Sequence, residues 1–136
     1  NNSWRFTMFT LQEIKDAHSK VKSGSDFPKY VKEIKELGMN YYDFFVADGH
    51  AKYVHNNGEF IESPAIYEVK KISSISDTIL LKHIIKIHQN GETDFMTFCQ
   101  QSADAGVVLW RTDVTNMKVI YLNDKNEEMV VEVVPS

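Results

Sequence analysis

His18 and His88 each stand seven residues after a leucine and four after an isoleucine, in Leu11-Ile14-His18 and Leu81-Ile84-His88. Spacings of four and seven share one helical face, so both imidazoles are expected on the inward side. An imidazole can donate, accept, ligate a metal or move a proton near neutral pH. The other reading is a partly buried ring bonded to a backbone carbonyl, its charge favoured by the helix C-terminus. Cys99 lies eleven residues beyond His88, the makings of a thiol nucleophile with His88 as general base; such a thiol must be accessible and in a cationic setting. Asp26 and Asp94 suggest paired carboxylates for acid–base work, but each also precedes a helical pattern, where a carboxylate accepts free amides. Asp48, His50 and His55 are metal-ligating types without a known ligand spacing, and solvent exposure is the simpler account of the two histidines. Tyr42 and Trp110 are the large aromatics expected to wall a small-molecule pocket, with core packing as the alternative.

The elements that position these residues come in two sets. Asp26-Phe27, Tyr30 and Gly38 match Asp94-Phe95, Phe98 and Gly106 at a constant offset of 68. At the same offset Tyr42 meets Trp110, Val46 meets Val114 and Tyr53 meets Tyr121; upstream, Leu11, Ile14 and His18 meet Leu81, Ile84 and His88 at 70. Self-similarity at a fixed spacing is the mark of a repeated unit. Thr10 with Glu13 has capping-box spacing, and Leu11, Ile14, His18 and Val21 follow at helical intervals up to Gly24. Asp26 is placed to cap a second helix, with Pro28 in its first turn and Gly38 at its end. Strands are expected over 41–47, 52–55 and 59–61, separated by the turn signals Asp48-Gly49 and Asn57-Gly58. The second set repeats the plan: a helix over about 77–89, a helix capped by Asp94 and ending at Gly106, and strands near 107–113, 118–122 and 128–134. Between the sets, Ser63-Pro64 breaks the pattern, and 65–72 has the composition of an extra strand.

These expectations assemble into an α+β fold, a duplicated helix–helix–three-strand unit with antiparallel sheets covered by helices. Residues 1–7 form an N-terminal extension and 8–136 a single domain, with unit one over 9–62, a connector over 63–74 and unit two over 75–134. Fifteen basic and nineteen acidic residues give a net charge of −4. Lysines alternate with acids, as in Lys32-Glu33 and Lys35-Glu36, which reads as solvated helix surface and argues against nucleic acid as a partner. The single cysteine excludes an internal disulfide and a cysteine-rich zinc site, and suits a reducing, cytoplasmic compartment. The longest apolar stretch is shorter than a membrane span. No Gly-rich phosphate loop, nucleophile elbow or paired CxxC is present, so no cofactor, metal site or catalytic residue is assigned.

The residues also carry a resemblance. Ala17-His18 through Gly24, Asp26-Phe27-Pro28, Ala47-Asp48-Gly49-His50, His88-Gln89 with Gly91, Thr93-Asp94-Phe95 with Thr97-Phe98-Cys99, Ala105-Gly106-Val107 and Trp110 together resemble the YdfO-like family of small bacterial and prophage-encoded proteins, sometimes labelled phage envelope protein. The resemblance spans about residues 9–135. It implies an α+β fold and a bacterial or prophage origin, and carries no activity, cofactor or catalytic residue across. Phe95 stands where the family pattern has tyrosine.

Taken together, the sequence suggests a non-catalytic module that binds a small molecule or a host protein in a cleft between the two halves, near His18, His88, Tyr42 and Trp110, with a homo-oligomer as a further option. An enzyme using His88 as base, with or without Cys99, and a prophage modulator of a host protein are the alternatives.

Overall fold

Local chemistry sets where the first helix begins and ends. In a computed structural model that describes residues 8–22 and 24–135, α1 (Leu11–His18) opens on Thr10. The Thr10 hydroxyl accepts from the Glu13 amide and the Glu13 carboxylate accepts from the Thr10 amide, so two otherwise free donors are satisfied. The helix stops at His18, short of Val21; Gly24–Asp26 makes a single 3-10 turn. Next come α2 (Phe27–Glu36) and three strands, β1 (Met39–Phe45), β2 (Ala51–His55) and β3 (Phe60–Glu62). The second set is α3 (Thr78–Gln89), α4 (Phe95–Asp104), β4 (Leu109–Asp113), β5 (Lys118–Leu122) and β6 (Glu128–Val133). This is the α+β architecture the sequence suggested.

Asp26 departs from its expected role. It sits in the helical region and its carboxylate makes no bond into α2; it accepts instead from the Lys22 amide behind it. Asp94 does cap α4, accepting from the Thr97 amide at 2.8 Å. No strand forms over 65–72. The connector is held by loop and helix-end carbonyls rather than by a ladder: Ile66 and Tyr67 donate to Asp48 O, Lys70 to Ala47 O, Ser73 to Ala103 O and Asp77 to Ala105 O. A ladder would require a continuous row of partners along one strand edge, and these acceptors lie in the turn after β1 and at the end of α4.

The strands join edge to edge in one antiparallel sheet, ordered β3-β2-β1-β4-β5-β6. β1 and β2 pair Tyr41↔Val54, Tyr42↔Tyr53, Asp43↔Lys52 and Phe44↔Ala51. Adding 68 to each number gives the β4–β5 pairs Leu109↔Leu122, Trp110↔Tyr121, Arg111↔Ile120 and Thr112↔Val119. The central β1–β4 ladder pairs Asp43 with Arg111, two residues that are themselves 68 apart. The shift that carries one hairpin onto the other therefore carries Asp43 onto the residue facing it, and a local two-fold axis passes between them. The outer strands break the correspondence: β5–β6 has a bulge at Tyr121/Leu122 that β2–β3 lacks.

Side chains on a strand alternate between faces, and ring contacts show which face the helices take. Tyr30 of α2 meets Tyr42, and Phe95 and Phe98 of α4 meet Trp110. The interior between helices and sheet contains Val31, Ile34, Leu81, Ile84, Cys99 and Val107, all essentially without exposure. The opposite face holds Tyr41, Asp43, Phe45, Leu109, Arg111 and Ile120, and no described helix lies on it.

Candidate functional site

Each half of the chain hangs one row of rings from its sheet. In the first, His18 meets Tyr30 edge-on (5.4 Å between centroids), Tyr30 meets Tyr42 (6.5 Å) and Tyr42 meets Tyr53 (5.5 Å). In the second, His88 stacks on Phe98 (4.4 Å), Phe98 meets Trp110 (5.3 Å) and Trp110 meets Tyr121 (5.9 Å). These are corresponding positions along the two halves. All four residues singled out from sequence thus belong to ring rows: His18 and Tyr42 to one, His88 and Trp110 to the other.

The histidines differ in surroundings. His18 is exposed, contrary to the inward placement its spacing suggested. α1 ends at that residue, so its ring lies over the edge of Tyr30 rather than beneath the helix. His88 is half-buried; its Nδ1 lies 3.0 Å from the Thr93 carbonyl oxygen, and an N–H there donates to it. That bond fixes the tautomer and leaves Nε2 as the free nitrogen of the neutral ring. Among the described residues no hydrogen bond or ring contact joins the two histidines.

The phenols of the first row are held neutral. Burial pushes Tyr42 up to about 12, opposed by the Thr112 hydroxyl. Burial, reinforced by Tyr42 and Tyr53, raises Tyr30 far beyond the usual phenol range. Cys99 is fully buried, and burial pushes its thiol up against the pull of the Tyr67 hydroxyl. A reactive thiol needs the opposite shift and an open approach, so the geometry around Cys99 opposes a nucleophilic role. An open depression of about 760 Å³ lies between the connector and α4, lined by Lys70, Lys71, Gln100 and Asp104 among others. A smaller one of about 340 Å³ lies between α1 and α2. His18, His88, Tyr42 and Trp110 line neither.

The sheet face away from the helices carries the residues sequence reasoning passed over. At its centre Arg111 grips Asp43 with two parallel bonds, Nε to Oδ1 at 2.7 Å and Nη2 to Oδ2 at 2.9 Å. Its guanidinium lies 4.3 Å over the Tyr41 ring. The Asp43 carboxylate holds the guanidinium charged even more firmly than usual. Asp43 is 5% exposed, while the Arg111 side chain is 38% exposed. Partly exposed Phe45, Leu109 and Ile120 surround the pair, and the exposed Phe60, Val131 and Val133 lie towards the rim. The available signal was a lone acid inside the apolar run Tyr41-Tyr42-Asp43-Phe44-Phe45, since a charge at mid-strand calls for a partner.

Beside that face, the His50 imidazole stacks flat on Phe45 at 4.3 Å. Its Nδ1 lies 2.6 Å from Asp48 Oδ1, and its Nε2 lies 3.6 Å from Glu62 Oε2. The bond from His50 holds the Asp48 carboxyl below its usual range. His55, expected to be exposed, is buried at the far end of β2 beside Phe9 and Gly38. The pairing of His50 and His55 as ligands therefore fails: five residues of extended strand put them roughly 17 Å apart. Among the described residues no group of three or more histidine, cysteine, aspartate or glutamate side chains could hold a metal ion. None of the described helices is long and apolar enough to cross a membrane.

These features define an α+β protein with four helices on one side of an open six-stranded antiparallel sheet. The chain belongs to the DUF1398 family, described as "Protein of unknown function", whose family model matches residues 15–133. It is also 23% identical over 112 residues to the "Uncharacterized protein YcgX" of Escherichia coli (strain K12), covering 82% of this chain and 84% of that protein.

Proposed function

We propose that this chain is a non-catalytic binding protein whose contact surface is the sheet face opposite the helices and whose partner is a polypeptide. The observation that carries this reading is the Tyr41–Arg111–Asp43 cluster set among partly exposed Phe45, Leu109 and Ile120. A sheet face left to water is ordinarily lined with polar side chains. Aromatics and arginine at the centre of a flat apolar patch, with charges towards the rim, are the composition of a protein interface. Tyr42 and Trp110 are occupied in the ring rows, which favours a flat protein contact over a small-molecule cleft between the halves. The likeness to YdfO-like proteins supports a prophage origin, with the cytoplasm of a bacterial host as the setting. The constant 68-residue shift in sequence and strand register supports descent from a duplicated unit.

Retention on an immobilised chain tests the reading. The wild-type chain, Ile120→Glu and, as a helix-side control, Lys82→Glu are each offered bacterial lysate and, separately, the untagged chain. A polypeptide, host or self, held by wild type and Lys82→Glu but released by Ile120→Glu is the expected result. No retention that depends on the face removes the proposal.

A further inference from the structure

Resting on that reading of the sheet face, we infer that its occupant is a second copy of this chain, the two sheets stacking face to face. Size is the first support. Six strands of three to seven residues, at ~4.8 Å between strands and ~3.3 Å per residue, make a face of roughly 29 by 17 Å. That is about 490 Å² in projection before side-chain relief is counted. A specific interface takes about 600–1,000 Å² of accessible surface from each partner, so a sheet-on-sheet contact must use the whole face, side-chain relief included, to approach the lower end of that range.

Charge is the second. The chain carries a net charge of −4, and two acidic copies repel wherever unbalanced carboxylates meet. On this face each base has an acid directly across the ladder: Arg111 faces Asp43, Lys52 faces Glu62 and Lys118 faces Asp113. The Lys52 ammonium also lies 4.3 Å over the Phe60 ring. Of these three, only Arg111 and Asp43 form an ion pair, but bases and acids lie side by side across the ladders, so an identical face meets charges of both signs rather than one. A host partner selected by charge would instead call for a patch of one sign.

Shape is the third. An isologous pair sets this same six-stranded face on both sides of the contact. Side chains of stacked sheets interdigitate about 10 Å apart. Tyr41, Phe45, Leu109 and Ile120 supply that layer here.

Sedimentation velocity on the purified full chain, across roughly a hundredfold range of concentration around the micromolar, tests this. Wild type and Lys82→Glu are expected to dimerise alike. Ile120→Glu, and Val131→Glu at the more exposed rim, should each weaken the dimer by at least roughly tenfold. The two positions guard against a variant that fails to fold, and circular dichroism with urea midpoints verifies each chain. A chain that stays monomeric throughout, or a dimer that neither face variant disturbs, overturns the inference. If the chain is monomeric but the face still retains a host polypeptide, only the choice of occupant is wrong; if the face retains nothing, the reading of the face falls too.

Discussion

The two halves hang rings on matching strand positions, yet they fill those positions differently. The first row is His18-Tyr30-Tyr42-Tyr53, three phenols leading to an exposed imidazole. The second is His88-Phe98-Trp110-Tyr121, whose imidazole is half-buried and stacked. Trp110 also draws Phe44 across the central ladder, stacking with it at 4.4 Å, and takes Phe95 edge-on at 6.1 Å. Among the described residues its counterpart Tyr42 makes ring contacts only with Tyr30 and Tyr53. The helices follow the same trend, eight residues in α1 against twelve in α3. One backbone plan thus supports unequal packing, and the second half is the firmer of the two.

The largest effect expected from this contrast is at the paired aromatics. Trp110→Ala removes a buried indole touching four rings and should cost about 4 kcal/mol, in the range for large aromatic truncations. Tyr42→Ala should cost roughly 2 kcal/mol. Urea unfolding of both variants gives the comparison, and equal losses would show that the ring rows carry equal weight after all.

The Asp43–Arg111 pair sharpens the contrast, because it is where the halves touch at corresponding positions. Its members differ in burial, so truncation should be asymmetric. Arg111→Ala strands a carboxylate that is 5% exposed and should cost about 3 kcal/mol; Asp43→Ala leaves a guanidinium that water still reaches and should cost about 1 kcal/mol. The double variant should be less damaged than the sum of the two, the coupling read from a double-mutant cycle. Strict additivity would mean that the bidentate bond contributes nothing.

Much of this arrangement could be read from the chain, and the failures have identifiable causes. The four helices and six strands were legible because helical periods were unbroken, strands were rich in aromatic and β-branched residues, and the first half's turns carried Asp-Gly and Asn-Gly. The ring rows were legible as corresponding residues. His18 was placed on the wrong side because periodicity says which face a residue shares, not where the helix ends. His55 was misjudged because its burial comes from Phe9 and Gly38, remote in sequence. Asp43–Arg111 was missed because it depends on which strands become neighbours, and strand order is not written in local pattern.

The caps offer a smaller effect with a pH signature. Asp94 accepts from the Thr97 amide, and the bonds to Thr97 hold its carboxyl below the usual range. A carboxylate with a depressed pKa in the folded state adds stability above its ordinary pKa and loses it as pH falls through the depressed value. Asp94→Asn keeps a capping oxygen but cannot titrate, so stability should decline less steeply than in wild type below about pH 4. Asp94→Ala should lower the urea midpoint at neutral pH more than Asp26→Ala, because only Asp94 bonds into its helix. A larger loss from Asp26→Ala would reverse the assignment of the caps.

The smallest effect is at Cys99, where the halves agree best. Cys99 and its counterpart Val31 are both at 0% exposure, so each fills an interior slot. Cys99→Val should leave stability within about 1.5 kcal/mol of wild type, as volume-conserving interior exchanges do. The Tyr67 hydroxyl keeps its 2.6 Å bond to the Val46 carbonyl, so the exchange strands no donor. A buried thiol with a raised pKa is also a poor nucleophile, so a thiol reagent should label the native chain only at the rate at which it unfolds. Labelling of the folded chain as fast as of the urea-unfolded one would show that the slot opens, and that Cys99 has an environment Val31 does not share.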